Sequence, residues 1–326
     1  MKKKCFYLAA CLICLLSSCG PKEPVKLYEH VTAANGKVSY YMKGLEKPFS
    51  VLFVSDTHFT IEDERGREFY KYSKRMGGNA AKPENYGQTN GREKFLQASL
   101  DKAKKNGSEL VILAGDIINY PSLASVEYIK KMMDESGLNW VYTAGNHDWH
   151  YEGEPGVNVD QRKKWSESNL KPLYQGQNPL YHSQVLHNIN FITMDNSLFE
   201  ITDEQMNFFR NELKKGLPVV LSMHVPLYLQ GHTIDYSCGN PHLNKETDHL
   251  YKIESREPWP EEGLSDNSFA FRKMVLESPL VIGVFAGHIH SEAIDMVNNK
   301  LQYVQTANFM SKDVLINFIP AEEVSR

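Results

Sequence analysis

Trp140-Val141-Tyr142-Thr143-Ala144 is an apolar run, and it ends in Gly145-Asn146-His147-Asp148, an amide, an imidazole and a carboxylate set on successive residues after a glycine. The run reads as a buried strand. A buried strand that ends in glycine and then in metal-competent groups is how an α/β protein delivers side chains to a site at its sheet edge. Four residues prove little alone. The stretch becomes decisive because four other strands in the chain end the same way.

After the apolar residues 51–54 comes Ser55-Asp56-Thr57-His58. After 111–114 comes Gly115-Asp116, after 219–223 comes His224, and after 281–286 comes Gly287-His288-Ile289-His290. In an extended chain residues i and i+2 point the same way, so Asp56 and His58 can face one ion together, as can His288 and His290. Glycines at 115, 145 and 287 permit sharp exits and close backbone approach. With His147 set aside, Asp56, Asp116, His58, His224, His288, His290 and Asn146 form a mixed nitrogen and oxygen donor set. Such donors suit Zn, Fe or Mn rather than a thiolate or an all-oxygen calcium site. Asp-X-His or Gly-Asp alone is usually a turn. Five such motifs, each at a strand end, carry the reading together.

Between these units the pattern alternates strand and helix. An amphipathic helix is expected over 92–106, with Phe95, Leu96, Leu100 and Ala103 on one face and Gly107 as its stop. Further helices are expected around 126–136, from the Thr202-Asp203-Glu204-Gln205 capping box to 215, and over 269–277. Strands are expected at 49–54, 109–114, 140–144, 180–185, 188–194, 217–223, 280–286, 301–306 and 313–318. Residues 60–92 and 229–266 are long and irregular, either functional or hiding short elements. No repeat or internal boundary divides the chain, so one α/β domain over 37–326 is expected.

The chain of 326 residues has a net charge of -4, which becomes -7 without Lys2, Lys3 and Lys4. That balance opposes broad attraction to nucleic acid. Lys2–4 and the apolar residues 5–16 read as an export signal, too short to span a bilayer core. The signal ends Leu16-Ser17-Ser18-Cys19, which resembles the bacterial lipobox. Residues 1–18 are then a signal peptide, Cys19 carries lipid, and 19–36 form a tether. The expected product is an exported, membrane-anchored lipoprotein. Of the cysteines only Cys238 would remain free, so the fold rests on its core without a disulfide.

Together, Asp56-X-His58, Gly115-Asp116, Gly145-Asn146-His147-Asp148, His224 and Gly287-His288-X-His290 resemble the motif series of the calcineurin-like metallophosphoesterases, over about residues 49 to 307. The resemblance implies a four-layer αββα sandwich, two mixed β-sheets flanked by helices, with two metal ions at the sheet edges. It implies that Asp56, His58, Asp116 and His290 hold one ion and Asp116, Asn146, His224 and His288 the other. His147 would face the substrate phosphate and protonate the leaving group, oriented by Asp148, while a metal-bridging hydroxide attacks phosphorus. Two divalent ions, two carboxylates and a hydroxide leave the site near +1, which suits a phosphate anion.

The purple acid phosphatases of the wider family carry Asp-X-Gly first and a tyrosine three residues after the Gly-Asp aspartate. Here His58 and Asn119 hold those places, and Tyr120 comes one residue late. A tyrosinate-ligated iron centre is therefore not expected. The partner implied is a small phosphorylated substrate. A phospholipid- or nucleotide-directed phosphodiesterase, a nuclease, and a catalytically silent metal-binding scaffold are the alternatives. His150 reads as a surface or supporting residue, and His182 and His187 as structural. Residues 60–92 and 229–266, the latter with His232, Tyr236, His242 and Trp259, could wall or cover the site.

Overall fold

A computed structural model describes residues 27–156, 158–229, 265–290, 292–304 and 313–321. The expected signal and Cys19, and nearly all of the 229–266 insertion, lie outside the described residues. The strands are β1 (Tyr28–Ala34), β2 (Lys37–Met42), β3 (Phe49–Val54), β4 (Ser108–Ala114), β5 (Trp140–Thr143), β6 (Tyr181–Leu186), β7 (Ile189–Met194), β8 (Val219–Met223), β9 (Val281–Ala286), β10 (Ala293–Val297), β11 (Lys300–Val304) and β12 (Val314–Pro320). They form two six-stranded sheets, ordered β1-β2-β12-β3-β4-β5 and β10-β11-β9-β8-β7-β6. Both are mixed. Within them β3-β4-β5 and β7-β8-β9 run parallel.

Parallel interior strands are covered on both faces, which is why their sequences are apolar without alternation. In β3, Val51 and Phe53 pack into the layer between the sheets, where Phe191, Phe285 and Phe318 also lie. Leu52 and Val54 face outward, onto helices α2 (Glu93–Lys105) and α3 (Leu123–Ser136). On the far side, α6 (Asp203–Leu213) and α7 (Asp266–Glu277) cover the second sheet through Phe209 and Phe271. The order is helix, sheet, sheet, helix. The capping box at Thr202 and Gln205 is formed.

Several elements lie outside the strands and helices expected above, β2 among them, while the short elements allowed for in 60–92 are present. Residues 28–34 were expected in the tether but form β1, paired antiparallel with β2 through Asn35 and Gly36, both at positive φ. Asn-Gly is the strongest short hairpin signal, and it lies between two runs of weak alternation. Residues 60–92 hold short helices, chiefly a 3-10 turn at Glu64–Phe69 and α1 (Tyr70–Met76), too brief to show a period. Helices α4 (Asn158–Glu167) and α5 (Lys171–Tyr174) follow β5, and a second tight turn at Asn298 and Asn299 joins β10 to β11. Among the described residues no helix is long and apolar enough to cross a membrane.

Candidate metal centre

The five motif-bearing strands deliver their carboxyl ends to one edge. Two clusters form there. The ligand atoms of Asp56, His58, Asp116 and His290 lie within 4.8 Å of one another, and so do those of Asp116, His224 and His288. Asp116 belongs to both. Its Oδ2 lies 3.2 Å from His224 Nε2 and 3.8 Å from His58 Nε2. His290 Nε2 is 3.4 Å from Asp56 Oδ1 and 3.1 Å from His58 Nε2.

The local route to this convergence is not the strand alternation expected. Asp56, His58, Asp116, His288 and His290 all have φ between 44° and 72°, so none is extended. Left-handed backbone at non-glycine residues is uncommon, and its cost is tolerated where surrounding structure fixes it. Here the loops hold each other: Asp56 N–H donates to Gly115 C=O at 3.0 Å, and His58 N–H to Asp116 C=O at 2.8 Å. Gly115, at φ +82°, lies where a Cβ would stand 2.5 Å from His224 Nδ1.

Hydrogen bonds then set each side chain. Asp56 accepts from Ser55 Oγ at 2.5 Å and from His288 N–H at 3.0 Å. Asp116 Oδ1 accepts from His147 N–H at 2.8 Å. His224 Nδ1 lies 3.1 Å from the Ala114 carbonyl, which makes Nδ1 the donor and turns Nε2 toward Asp116. Asn146 is buried just past the end of β5.

Asp56 and Asp116 are buried, and among the described residues neither has a lysine or arginine partner; only imidazoles balance them. Burial disfavours the His224 cation, but Asp116 and Asp56 outweigh it and raise His224 to about 10. Burial and the neighbouring His224 charge lower His288 to about 3. Buried carboxylates that draw protons onto imidazoles, with two ring nitrogens 3.1 Å apart, are a donor set that divalent cations satisfy. The residues fit the two-ion site that the sequence motifs imply.

His147 is half-buried at the rim, its ring edge-on to His58 at 4.5 Å between centroids. Its Nδ1 lies 3.3 Å from the Asn119 carbonyl. Asp148, expected to orient it, does something else. The Asp148 carboxylate accepts from the backbone N–H groups of Asp116, Ile118 and Gly145, at 2.8, 2.9 and 2.7 Å. It ties the β4 and β5 exits together, and the Asn119 carbonyl orients His147. Burial and the Asp116 charge push Asp148 up, to about 7.

The sequence reading also passed over Asn90 and Arg92. Asn90 Nδ2 donates to the His58 carbonyl at 2.9 Å, and the Arg92 guanidinium reaches the Thr57 carbonyl at 3.4 Å. The end of the 60–92 insertion thus buttresses the His58 loop. A polar pair straddling Gly91 just before a helix was the available signal. His150 is buried against Trp149 rather than on the surface.

The sequence model described as calcineurin-like phosphoesterase matches residues 49–292. Among solved structures, a dimetal phosphatase from Danio rerio aligns at 11% identity and TM-score 0.49, covering 80% of this chain and 88% of that one. A purple acid phosphatase from yellow lupin (Lupinus luteus) seeds aligns at 11% identity and TM-score 0.50, covering 86% and 56%. No curated protein sequence matches.

Proposed function

The chain belongs to the calcineurin-like phosphoesterase family, and from that premise we propose that it is a two-metal hydrolase of phosphoric esters, exported and held to a membrane through Cys19. The observation that carries the activity is the pair of ligand clusters sharing Asp116, beside the rim residue His147. Asp56, His58, Asp116 and His290 would hold one ion, and Asp116, Asn146, His224 and His288 the other. When bound, such ions lower the pKa of a shared water toward neutrality and draw in the phosphoryl oxygens.

The rest is done by the chain. The bond pattern at His224 keeps Nε2 toward Asp116. Ser55 and the His288 N–H hold the Asp56 carboxylate in place. His147, with Nδ1 against the Asn119 carbonyl, presents Nε2 to the leaving oxygen and gives it a proton as the ester bond breaks. An alkoxide leaves poorly without that proton, so His147 matters most for alkyl esters.

The test uses residues 20–326, chelated and then given Mn, Zn or Fe. Hydrolysis of a p-nitrophenyl phosphate monoester is compared with that of the bis-p-nitrophenyl diester, with Asp116→Asn as the blank. Metal-restored turnover that Asp116→Asn lacks is expected. A protein that binds no metal and turns over neither ester overturns the proposal. The lipid anchor is supported by Lys2–4, the apolar stretch and Leu16-Ser17-Ser18-Cys19. Cys19→Ser should leave the protein unlabelled by fatty acid and free of the membrane fraction.

A further inference from the structure

β7 runs parallel with β8 and ends level with it, Met194 opposite Met223, yet none of the proposed ligands follows it. Its exit, Asp195-Asn196-Ser197-Leu198-Phe199, is nonetheless buried at every position but Leu198. It makes three contacts, each with a different ligand-bearing loop. Asn196 grips the residue after His224: its Oδ1 accepts the Val225 N–H at 3.0 Å, and its Nδ2 donates to the Val225 carbonyl at 2.7 Å. A side-chain amide carries a donor beside an acceptor, so it continues the ladder where the two strands part. From the other side, the Gly287 N–H donates to the His224 carbonyl at 2.9 Å. Ser197 Oγ accepts the Trp149 indole N–H at 2.8 Å. Trp149 closes the 3-10 turn His147–Trp149, which Asn146 precedes. Phe199 sets its ring edge-on to that of His288, at 5.3 Å between centroids.

The exit is itself firmly held. Asp195 Oδ1 accepts from the Ser197 N–H at 2.8 Å and from Ser197 Oγ at 2.5 Å. The Asp195 carbonyl accepts from Gln205 Nε2 at 2.5 Å, and Asp195 Oδ2 lies 3.6 Å from the buried Arg162 guanidinium. Phe199 has φ of 62°, costly for a bulky residue, and its N–H bonds back to the Asn196 carbonyl at 2.7 Å. Asn146, His224 and His288 are, with Asp116, the residues proposed above to hold one ion. The loop of His58, proposed for the other ion, is held from a different side by Asn90 and Arg92.

We propose that residues 195–199 are a positioning segment for one ion of the pair: they hold the loops of Asn146, His224 and His288 in common register, so that the affinity of this ion depends on them and that of its neighbour does not. This rests on the two-ion reading above. Asn196 is the centre of the segment, because its two bonds fix the peptide next to a ligand.

The experiment uses the full chain, stripped by a chelator and titrated with Mn in equilibrium dialysis. Asn190 supplies the control: it is the same residue type, fully buried on the same strand, bonded to Glu212 at 2.7 Å and paired with Val219 at the far end of β7. Asn190→Ala should bind two ions as wild type does. Asn196→Ala should keep one ion at wild-type affinity and bind the other about 10–100-fold more weakly, the scale of loss when a ligand's supporting bonds are removed. Anomalous scattering at one equivalent of Mn should place the retained ion between Asp56, His58, Asp116 and His290. Ser197→Ala, which leaves the grip on Val225 intact, should weaken the same ion, and it carries the test if Asn196→Ala does not fold. Equal weakening of both ions, no weakening, or the same split in Asn190→Ala overturns the proposal. So does a retained ion between Asp116, His224 and His288. A wild-type protein that binds fewer than two ions overturns the two-ion reading, and this proposal with it.

Discussion

The Asp148 carboxylate accepts the backbone N–H of Asp116 at 2.8 Å, across 32 residues of sequence. One buried carboxylate thereby fixes the residue common to both ligand clusters. Asp148→Asn replaces one acceptor oxygen with an N–H donor aimed at backbone donors. At pH 8, above the value near 7 to which Asp148 is pushed, the change should cost roughly 2–3 kcal/mol of stability. It should also weaken metal binding through Asp116. Urea denaturation together with metal analysis checks this. Unchanged stability with slower turnover would return Asp148 to a role in orienting His147.

His147 touches the site through its ring and its backbone N–H, and only the ring is lost in His147→Ala. Metal content should survive. Turnover of an alkyl phosphate should fall about 10²–10⁴-fold, the usual range for loss of a general acid. A p-nitrophenyl ester, whose leaving group needs no proton, should suffer far less. Equal losses on both esters, or lost metal, would contradict the assignment.

The parts of this fold that the sequence made legible are those whose burial is two-sided. β3 was expected at its observed limits because Val51 and Phe53 face one layer and Leu52 and Val54 the other, so every position is apolar. β1 and β10 are edge strands, with one exposed face and polar residues interleaved, and both went unrecognised. The residues of both ligand clusters were legible because their side chains are the chemistry. The role of Asp148 was not. It depends on which backbone N–H groups come within reach once β4 and β5 lie parallel, and no local spacing encodes that. Nor does Asp-X-His reveal that both residues take left-handed φ.

Glu62, four residues beyond His58, is buried; its Oε1 accepts from Ser122 Oγ at 3.0 Å and from Asp63 N–H at 3.1 Å. Burial raises it from 4.5 to about 7. The folded state therefore keeps a proton that the unfolded chain releases between those values. Its contribution to stability is complete below pH 4.5 and lost as pH rises through 7. The loss should be of order 3–4 kcal/mol, for a rise from 4.5 to about 7 at about 1.4 kcal/mol per unit. Glu62→Gln removes the titration, so its stability should gain on wild type from pH 5 to pH 8. Parallel stability curves would show that Glu62 is ionised throughout.

Tyr120 sits beside Asn119 in sequence but packs away from the ligand clusters, 5.3 Å from Tyr151 between ring centroids and over Gly77. Burial raises its phenol above the ordinary range, which opposes the tyrosinate that iron ligation needs. Iron-loaded protein should lack an intense visible charge-transfer band. Its appearance, and its loss in Tyr120→Phe, would put Tyr120 on the metal.

Gly287 is the tightest contact in the site. A Cβ there would stand 2.1 Å from Asp56 Oδ2 and 2.4 Å from Ser55 Oγ. Asp56 also accepts the His288 N–H, so one added methyl must move members of both clusters. The strands below are packed independently of this loop, and the secondary structure should persist. Gly287→Ala should therefore bind metal less tightly and turn over about 10²-fold more slowly, the scale of loss for misplacement by an ångström. Circular dichroism, metal stoichiometry and rate measured on one preparation separate this from misfolding. Full metal content at an unchanged rate would mean that Asp56 can shift without consequence, and the ligand role assigned to it would fall.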